Sequence, residues 1–121
     1  VKLATKGDRE ARNILIRDPN RLVAQAVVMN PRLTEQEVEK IAGMRTATED
    51  ILRQIASSRH WSRSYQVVHS LAKNPRTPIA NVLNILSRLQ AKDLTSLGKN
   101  RNVSDAVRRQ ALRLSQARKG G

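Results

Sequence analysis

The chain has no cysteine and no phenylalanine, and Trp61 and Tyr65 are the only large aromatic side chains among its 121 residues. Without cysteine, a disulfide framework and a thiolate metal site are excluded. A core without phenylalanine must be built from leucine, isoleucine, valine and alanine, which favours packed helices over a sheet sandwich. No apolar run approaches the roughly 18–20 residues of a membrane span, and no signal peptide is visible. We therefore expect a cytoplasmic protein that does not span a membrane.

Acidic side chains are also scarce. The chain carries 23 lysine and arginine residues against 10 aspartate and glutamate residues, for a net charge of +13. The imbalance is concentrated in residues 61–121, where 12 basic side chains are accompanied by only 2 acidic ones, Asp93 and Asp105. Such an excess implies an anionic partner, namely nucleic acid, an acidic protein surface or anionic lipid. The alternative is a basic protein that its charge merely keeps soluble.

Helical spacing of apolar residues dominates the stretches between turn signals. Helix starts are predicted at Asp18-Pro19 and at two capping boxes, Thr34 with Glu37 and Thr46 with Glu49. No segment alternates as a strand does, so the sequence predicts an all-α protein of about eight helices. We expect residues 115–121 to be a disordered tail.

The tripeptide Asn-Pro-Arg occurs twice, at residues 30–32 and 74–76. Asparagine before proline ends a helix, because the residue before proline is disfavoured in the helical region. The matches around the two copies, at an offset of 44, include Val23 with Val67, Val27 with Leu71, Val38 with Val82 and Ile41 with Ile85. A second set at an offset of 42 aligns Arg59 with Arg101 and Ser62 with Ser104. An internal repeat of about 43 residues predicts one domain over residues 1–121, a short right-handed α-solenoid of paired, HEAT-like helices.

Four stretches of the chain are similar to a family of bacterial hypothetical proteins with helical repeats. They read LATKGDREARNILIRDPNRLVAQAV, NPRLTEQEVEKIA, KNPRTPIANVLNILSRL and KNRNVSDAVRRQA. The Asn-Pro turn followed by a Thr-Pro helix start also resembles the leucine-rich-repeat variant units of bacterial solenoids. The resemblance implies an architecture and no activity. Glycosylases of the DNA-alkylation-repair class share the helical-repeat plan, but they work in an aromatic-lined cleft that two aromatic residues cannot build.

No residue pattern predicts catalysis or a cofactor. His60 and His69 lack other ligands at the spacing that a zinc site needs. The serines are placed as caps and turn residues, and the glutamates begin helices, where they complement the helix dipole. Phosphate-binding glycine loops are absent. We therefore predict a non-enzymatic protein with no metal and no cofactor, in which His69 is partly buried and His60 is solvated.

Arginine recurs in the turns between helices. A solenoid stacks equivalent turns, so the repeat predicts a row of arginines along one edge, formed by Arg32, Arg59, Arg76 and Arg101. Neighbouring cations extend the candidate site: Arg63, Lys73, Lys99, Arg108 and Arg109. The planar guanidinium fork suits phosphate. Alternatively, each turn arginine caps the carbonyl end of the preceding helix or bridges to an acidic residue in the next repeat.

We interpret the chain as a binding module that contacts the phosphate backbone of DNA or RNA along this basic edge. Trp61 is a candidate stacking residue for an unpaired base, whereas Tyr65 is better explained as core packing. The alternative function is a protein-interaction scaffold whose basic edge docks an acidic partner.

Overall fold

Eight α-helices account for most of the chain in the computed structural model, which describes the backbone of residues 5–120 and the side chains of residues 9–118. The helices are α1 (Thr5–Leu15), α2 (Arg21–Val28), α3 (Glu35–Gly43), α4 (Glu49–Ser57), α5 (Tyr65–Lys73), α6 (Ile79–Ile85), α7 (Ala91–Gly98) and α8 (Asp105–Gly120). Short 3₁₀ helices at Trp61–Arg63 and Leu86–Arg88 precede α5 and follow α6. No strand occurs within residues 5–120, so the predicted all-α class is confirmed.

Side-chain caps begin most of the helices, as the sequence predicts, but not always at the predicted residue. The capping box of α3 is present, with Thr34 Oγ1 accepting from Glu37 N–H (3.2 Å) and Glu37 Oε2 accepting from Thr34 N–H (2.8 Å). The cap of α4 is Thr48 and not Thr46. The cap of α2 is Asn20 and not Asp18. In α4 the start is delayed because Ala47 must turn into the core, where it is buried.

A five-residue turn recurs between helices, in the α2–α3, α3–α4, α5–α6 and α7–α8 connections. In each turn the first residue's carbonyl accepts the N–H of the fourth residue, at 3.0–3.4 Å. The fourth residue is buried in every copy: Leu33, Ala47, Thr77 and Val103. In three copies the first residue is asparagine, whose Oδ1 also accepts a backbone N–H two residues later. The asparagine of Asn-Pro-Arg is therefore a turn-closing residue.

Each helix from α2 onward contacts the helix two positions along the chain: α2 with α4, α3 with α5, α4 with α6, α5 with α7 and α6 with α8. These partners run parallel. Ser64 Oγ, before α5, donates to Glu35 Oε2 at the start of α3 (2.8 Å). Tyr65 OH, at the start of α5, accepts from Gln90 N–H just before α7 (2.9 Å). The helices enclose one core of aliphatic side chains, as the shortage of aromatic residues predicts.

A buried ion pair attaches α1 to α3. Arg12 donates from Nε to Glu37 Oε1 (2.9 Å) and from Nη2 to Glu37 Oε2 (3.0 Å). Burial raises the pKa of Glu37, but the hydrogen bonds from Arg12 and Thr34 outweigh it and hold the pKa below its usual value. The sequence offers no signal for this pair, because the two residues lie 25 positions apart.

The last helix runs further than we expect from the sequence. Residues 115–120, which the sequence predicts to be a tail, continue α8. Ser115 is buried against α7, where its hydroxyl is hydrogen-bonded to the Thr95 hydroxyl (2.5 Å). Arg118 donates to the carbonyls of Ser87 and Leu89. These hydrogen bonds attach the end of α8 to the rest of the protein, although its sequence has no apolar stripe that would predict packing.

Two glycines that end helices make a matched pair for testing the packing of α7 on α8. A Cβ on Gly98 would lie 2.4 Å from Leu112 Cγ, whereas a Cβ on Gly43 would meet nothing within 4 Å. We expect Gly43→Ala to be neutral or to raise the free energy of unfolding by roughly 0.5 kcal/mol. The free energy of unfolding of Gly98→Ala should be about 1–3 kcal/mol lower than that of Gly43→Ala. Both substitutions restrict the unfolded chain equally, but only the Cβ at residue 98 would overpack against Leu112. Urea denaturation measures both, and equal shifts would contradict the packing.

Candidate nucleic-acid interface

The turns of the chain lie at two opposite edges of the molecule. Helix α3 separates the α2–α3 turn from the α3–α4 turn by nine residues, or about 13 Å. Asn74, which opens the α5–α6 turn, donates from Nδ2 to the carbonyls of Ala42 and Met44 (2.8 Å each). Those carbonyls belong to the C-terminal end of α3. The α5–α6 turn therefore lies beside the α3–α4 turn and away from the α2–α3 turn.

The four turn arginines are consequently divided between the two edges, and the predicted single row is wrong. Arg32 and Arg59 belong to the edge where Ser64 meets Glu35. Arg76 and Arg101 belong to the other edge, where a cleft of about 260 Å³ joins the α3–α4, α5–α6 and α7–α8 turns. The reason is that the offset of about 43 residues, which the sequence suggests as a repeat, spans three helices. Successive helices alternate in direction, so an offset of three helices transfers a turn to the opposite edge.

We call the edge formed by the α3–α4, α5–α6 and α7–α8 turns the Asn-turn edge. Its five exposed cations are Arg45, Lys73, Arg76, Lys99 and Arg101. Two of them, Arg45 and Lys73, line the cleft together with four uncharged polar residues: Ser70, Asn74, Asn100 and Asn102. Within the described residues, none of the five cationic side chains has a hydrogen bond or an ion pair. The helix-cap alternative therefore does not describe Arg76 or Arg101.

Carboxylates near the Asn-turn edge are few and mostly engaged. Asp105 is paired with Arg108 one helical turn away. Asp50, in the first turn of α4, is shared between Arg21 (3.0 Å) and Arg53 (2.9 Å). Glu49 is exposed beside the α3–α4 turn. The uncompensated positive charge is therefore concentrated on the α5–α6 and α7–α8 turns.

The two arginines at the start of α8 differ in role. Arg108 donates from Nη1 to the carbonyls of Val103 (3.0 Å) and Asn100 (3.4 Å) in addition to its pair with Asp105. Arg108 is therefore held by carbonyls of the α7–α8 turn. Arg109 is exposed, with no side-chain partner within the described residues. Only Arg109 of this pair is available to a ligand without rearrangement.

Three arginines cluster at the opposite edge. Arg59, Arg63 and Arg88 line one concavity of about 460 Å³ together with Ser62, and we call this group the arginine corner. Arg88 donates from Nη1 to the carbonyl of Ser62 (2.6 Å). Sequence reasoning missed Arg88, because it lies 25 residues beyond Arg63 in a segment with no turn motif. Arg32 is exposed at this edge and does not line the concavity.

Trp61 lies beside the arginine corner, half-buried, with one side packed on the core. Its ring meets His60 edge-on, with ring centroids 4.4 Å apart. Trp61 and His60 line a groove of about 480 Å³ whose apolar wall includes Met29 and Leu33. As expected, His60 is exposed. The exposed part of the indole is a surface on which a planar ring could stack.

Tyr65, Asp93 and His69 form a hydrogen-bonded group between α5 and α7. Tyr65 OH donates to Asp93, and His69 Nε2 lies 3.8 Å from the same carboxylate. Burial and the Asp93 carboxylate raise the pKa of Tyr65. Burial and nearby Lys73 lower the pKa of His69. The group joins two helices and engages Asp93, which agrees with the packing role predicted for Tyr65 and the partly buried position predicted for His69.

The described part of the chain holds neither a metal-ligand cluster nor a membrane-spanning helix. Across the described residues, no three histidine or acidic side chains converge as metal ligands. No helix in the described part of the chain has the length and apolar character needed to cross a membrane. Comparison with known proteins adds nothing further, since no family model, curated protein or solved structure matches the chain.

Proposed function

We propose that this protein is a non-enzymatic binding module, a short α-solenoid that holds nucleic acid by its backbone phosphates along the Asn-turn edge. The observation that carries the proposal is the set of five exposed cationic side chains on three adjoining turns, which have no partner within the part of the chain that the structure describes. A side chain that only stabilised the fold would have a carbonyl or carboxylate partner, as Arg12 and Arg108 do. These five do not.

Two features support the solenoid arrangement. Helices two positions apart are in contact along the chain from α2 to α8, as expected when short helices stack in two layers. The same five-residue turn closes four of the connections. Stacked helices lie roughly 8–10 Å apart, so three turns at one edge present cations over about 20 Å. Duplex DNA carries about twelve phosphates over that length of its axis.

The chemistry of the edge favours backbone contacts over base readout. Arginine donates two parallel hydrogen bonds to a phosphate, and lysine supplies a point charge. Two of the asparagine side chains, Asn74 and Asn100, are occupied with backbone groups, since each Oδ1 accepts a turn N–H. Reading base edges needs free amide or guanidinium groups in a groove, and no helix presents such a row here. We therefore infer binding without sequence preference.

A titration of duplex DNA against salt tests the proposal. If all five cations neutralise phosphates, the affinity should fall about 500-fold between 50 mM and 200 mM monovalent salt, because each contact adds roughly 0.9 to the logarithmic slope. Fluorescence anisotropy with a labelled 20-base-pair duplex measures this. No detectable binding at 50 mM salt would refute the proposal. Polyglutamate and unlabelled DNA can also be compared as competitors of the labelled duplex at equal concentrations of negative charge. If polyglutamate competes as well as DNA, the alternative of an acidic protein partner is favoured.

A further inference from the structure

The arginine corner joins cations from two segments that are distant in the sequence. Arg59 and Arg63 come from the α4–α5 connection, and Arg88 comes from the 3₁₀ helix after α6. Arg88 is held in place by its hydrogen bond to the Ser62 carbonyl (2.6 Å), which leaves its remaining N–H groups without a partner. Arg59 and Arg63 have no side-chain partner within the described residues.

No acidic residue lines the corner. Glu35 reaches the same connection, but its carboxylate accepts the hydroxyl of Ser64 (2.8 Å). Asp93 is engaged by Tyr65 and His69. Three guanidinium groups around one concavity are thus uncompensated, an arrangement that costs repulsion unless an anion is bound. The concavity of about 460 Å³ has room for a phosphate and its sugar.

The groove of Trp61 continues from the corner along the same stretch of chain. Ser57, Ser58, His60 and Trp61 line the groove, whereas Arg59, Ser62 and Arg63 of the same connection line the corner. Met29 and Leu33 add apolar surface to the groove. A planar base suits this groove, because stacking on an aromatic ring needs no particular base identity. The phosphate site and the stacking surface are therefore built from neighbouring residues of one connection.

We propose that the arginine corner and the Trp61 groove bind a 5′-phosphorylated nucleotide. The monophosphate would lie among Arg59, Arg63 and Arg88, and the base would lie against Trp61. A phosphate monoester carries a charge of about −1.5 to −2 near pH 7 and offers three acceptor oxygens. A backbone phosphodiester carries a single charge, so three converging arginines favour the terminal group over an internal one. The assignment does not depend on nucleic-acid binding at the Asn-turn edge.

Binding of adenosine 5′-monophosphate, ribose 5-phosphate and adenosine, measured by calorimetry or NMR titration at 50 mM salt, tests the assignment. Adenosine 5′-monophosphate should bind at least about tenfold more tightly than adenosine, because charge-assisted hydrogen bonds form only with the phosphate. It should also bind at least about fivefold more tightly than ribose 5-phosphate, because only the nucleotide stacks. Equal affinities in either comparison would overturn the assignment.

Two double variants with the same change in charge identify the site. Arg59→Gln/Arg63→Gln should weaken binding of adenosine 5′-monophosphate at least about tenfold. With both variants measured at 150 mM salt, Arg76→Gln/Arg101→Gln, at the Asn-turn edge, should leave it within about twofold, because screening at that salt confines the effect of charge to roughly 8 Å, less than the length of α3 that separates the two edges. All four arginines are exposed, so both variants should fold. Equal losses would mean that only the net charge matters, and the assignment would fail.

Single strands with a 5′-phosphate or a 5′-hydroxyl then distinguish two sources of the ligand. A preference for the phosphorylated strand, lost in Arg59→Gln/Arg63→Gln, assigns the corner to strand ends. No preference between strands, together with retained binding of adenosine 5′-monophosphate, assigns it to the free nucleotide. Both outcomes support the shared chemistry. A wild-type protein that binds the nucleotide but not duplex DNA would refute the Asn-turn edge proposal alone.

Discussion

Replacing Arg76 and Arg101 by glutamine should weaken binding of duplex DNA about 60-fold at 0.1 M salt. Each neutralised phosphate contributes roughly 0.9 decades of affinity at this salt, and the double variant removes two such contacts. The slope of the logarithmic salt dependence should fall by about 1.8 at the same time. Anisotropy titrations at four or more salt concentrations give both quantities. The slope is the more informative measurement, because it counts contacts and is insensitive to small errors in affinity.

The matched control is Arg9→Gln/Arg113→Gln, which makes the same change in net charge. Arg9 lies on α1 and Arg113 lies beyond the first turns of α8, and both are exposed. We expect this variant to bind DNA within about threefold of the wild type, since charges more than roughly 10 Å from the phosphates are screened. If the two double variants weaken binding equally, then the protein binds DNA by its overall charge and the Asn-turn edge is not a site.

Stability should be almost unchanged in Arg76→Gln/Arg101→Gln. Neither side chain has a hydrogen bond or an ion pair within the described residues, and surface substitutions away from such features are usually within about 0.5 kcal/mol. Urea denaturation of the variant therefore separates a loss of binding from a loss of fold. A large drop in the urea midpoint would mean that Arg76 or Arg101 stabilises the fold, as the helix-cap alternative holds.

Asn74→Ala should lower the free energy of unfolding by roughly 2–4 kcal/mol. Asn74 is 4% exposed. Its Nδ2 donates to the carbonyls of Ala42 and Met44 (2.8 Å each), and its Oδ1 accepts from Arg76 N–H (2.9 Å). Alanine removes all three bonds, and a buried polar group left without a partner costs about 1–3 kcal/mol. Chemical denaturation with linear extrapolation measures the change.

Asn30 provides the control for Asn74, because it opens the matching copy of Asn-Pro-Arg. Its Oδ1 accepts from Arg32 N–H (2.8 Å), the only side-chain hydrogen bond of Asn30 within the described residues. Asn30→Ala should therefore cost about 1 kcal/mol or less. Similar costs for the two substitutions would show that the bond from Asn74 to the end of α3 contributes nothing. That result would also weaken the placement of the α5–α6 turn beside the α3–α4 turn.

Local signals predicted the elements of this fold well. Asn30 and Asn74 close turns, Thr34 caps α3 with its full capping box, and Ser104 caps α8 through its hydrogen bond with Val107 N–H (3.3 Å). Where the predicted caps are displaced, the competing force is burial. Thr46 has the pattern of a capping box, but Ala47 after it enters the core and the helix starts at the next threonine instead. Capping patterns do not encode which turn residue must be buried.

The sequence predicted most of the cations of the candidate sites, but it did not predict which of them lie together. The excess of cations and the turn arginines are visible in the sequence, and Arg76 and Arg101 are exposed as a binding role requires. Arg45 and Arg88 were missed because no repeated motif marks them. Arg45 occupies a turn that opens with Met44, and the asparagine that marks the other copies is absent there. Arg88 acquires its place only through the carbonyl of Ser62, 26 residues away.

The sequence by itself determined the helical class, the places where the chain turns, and the positive charge of the turns. These depend on local chemistry, namely apolar spacing, asparagine before proline and the count of arginines. Only the tertiary structure decided which turns share an edge. Neighbouring helices run in opposite directions, so turns separated by an odd number of helices lie at opposite ends of the stack. The predicted repeat of about 43 residues spans three helices, and for that reason the row of arginines that the sequence predicts becomes two separate basic surfaces.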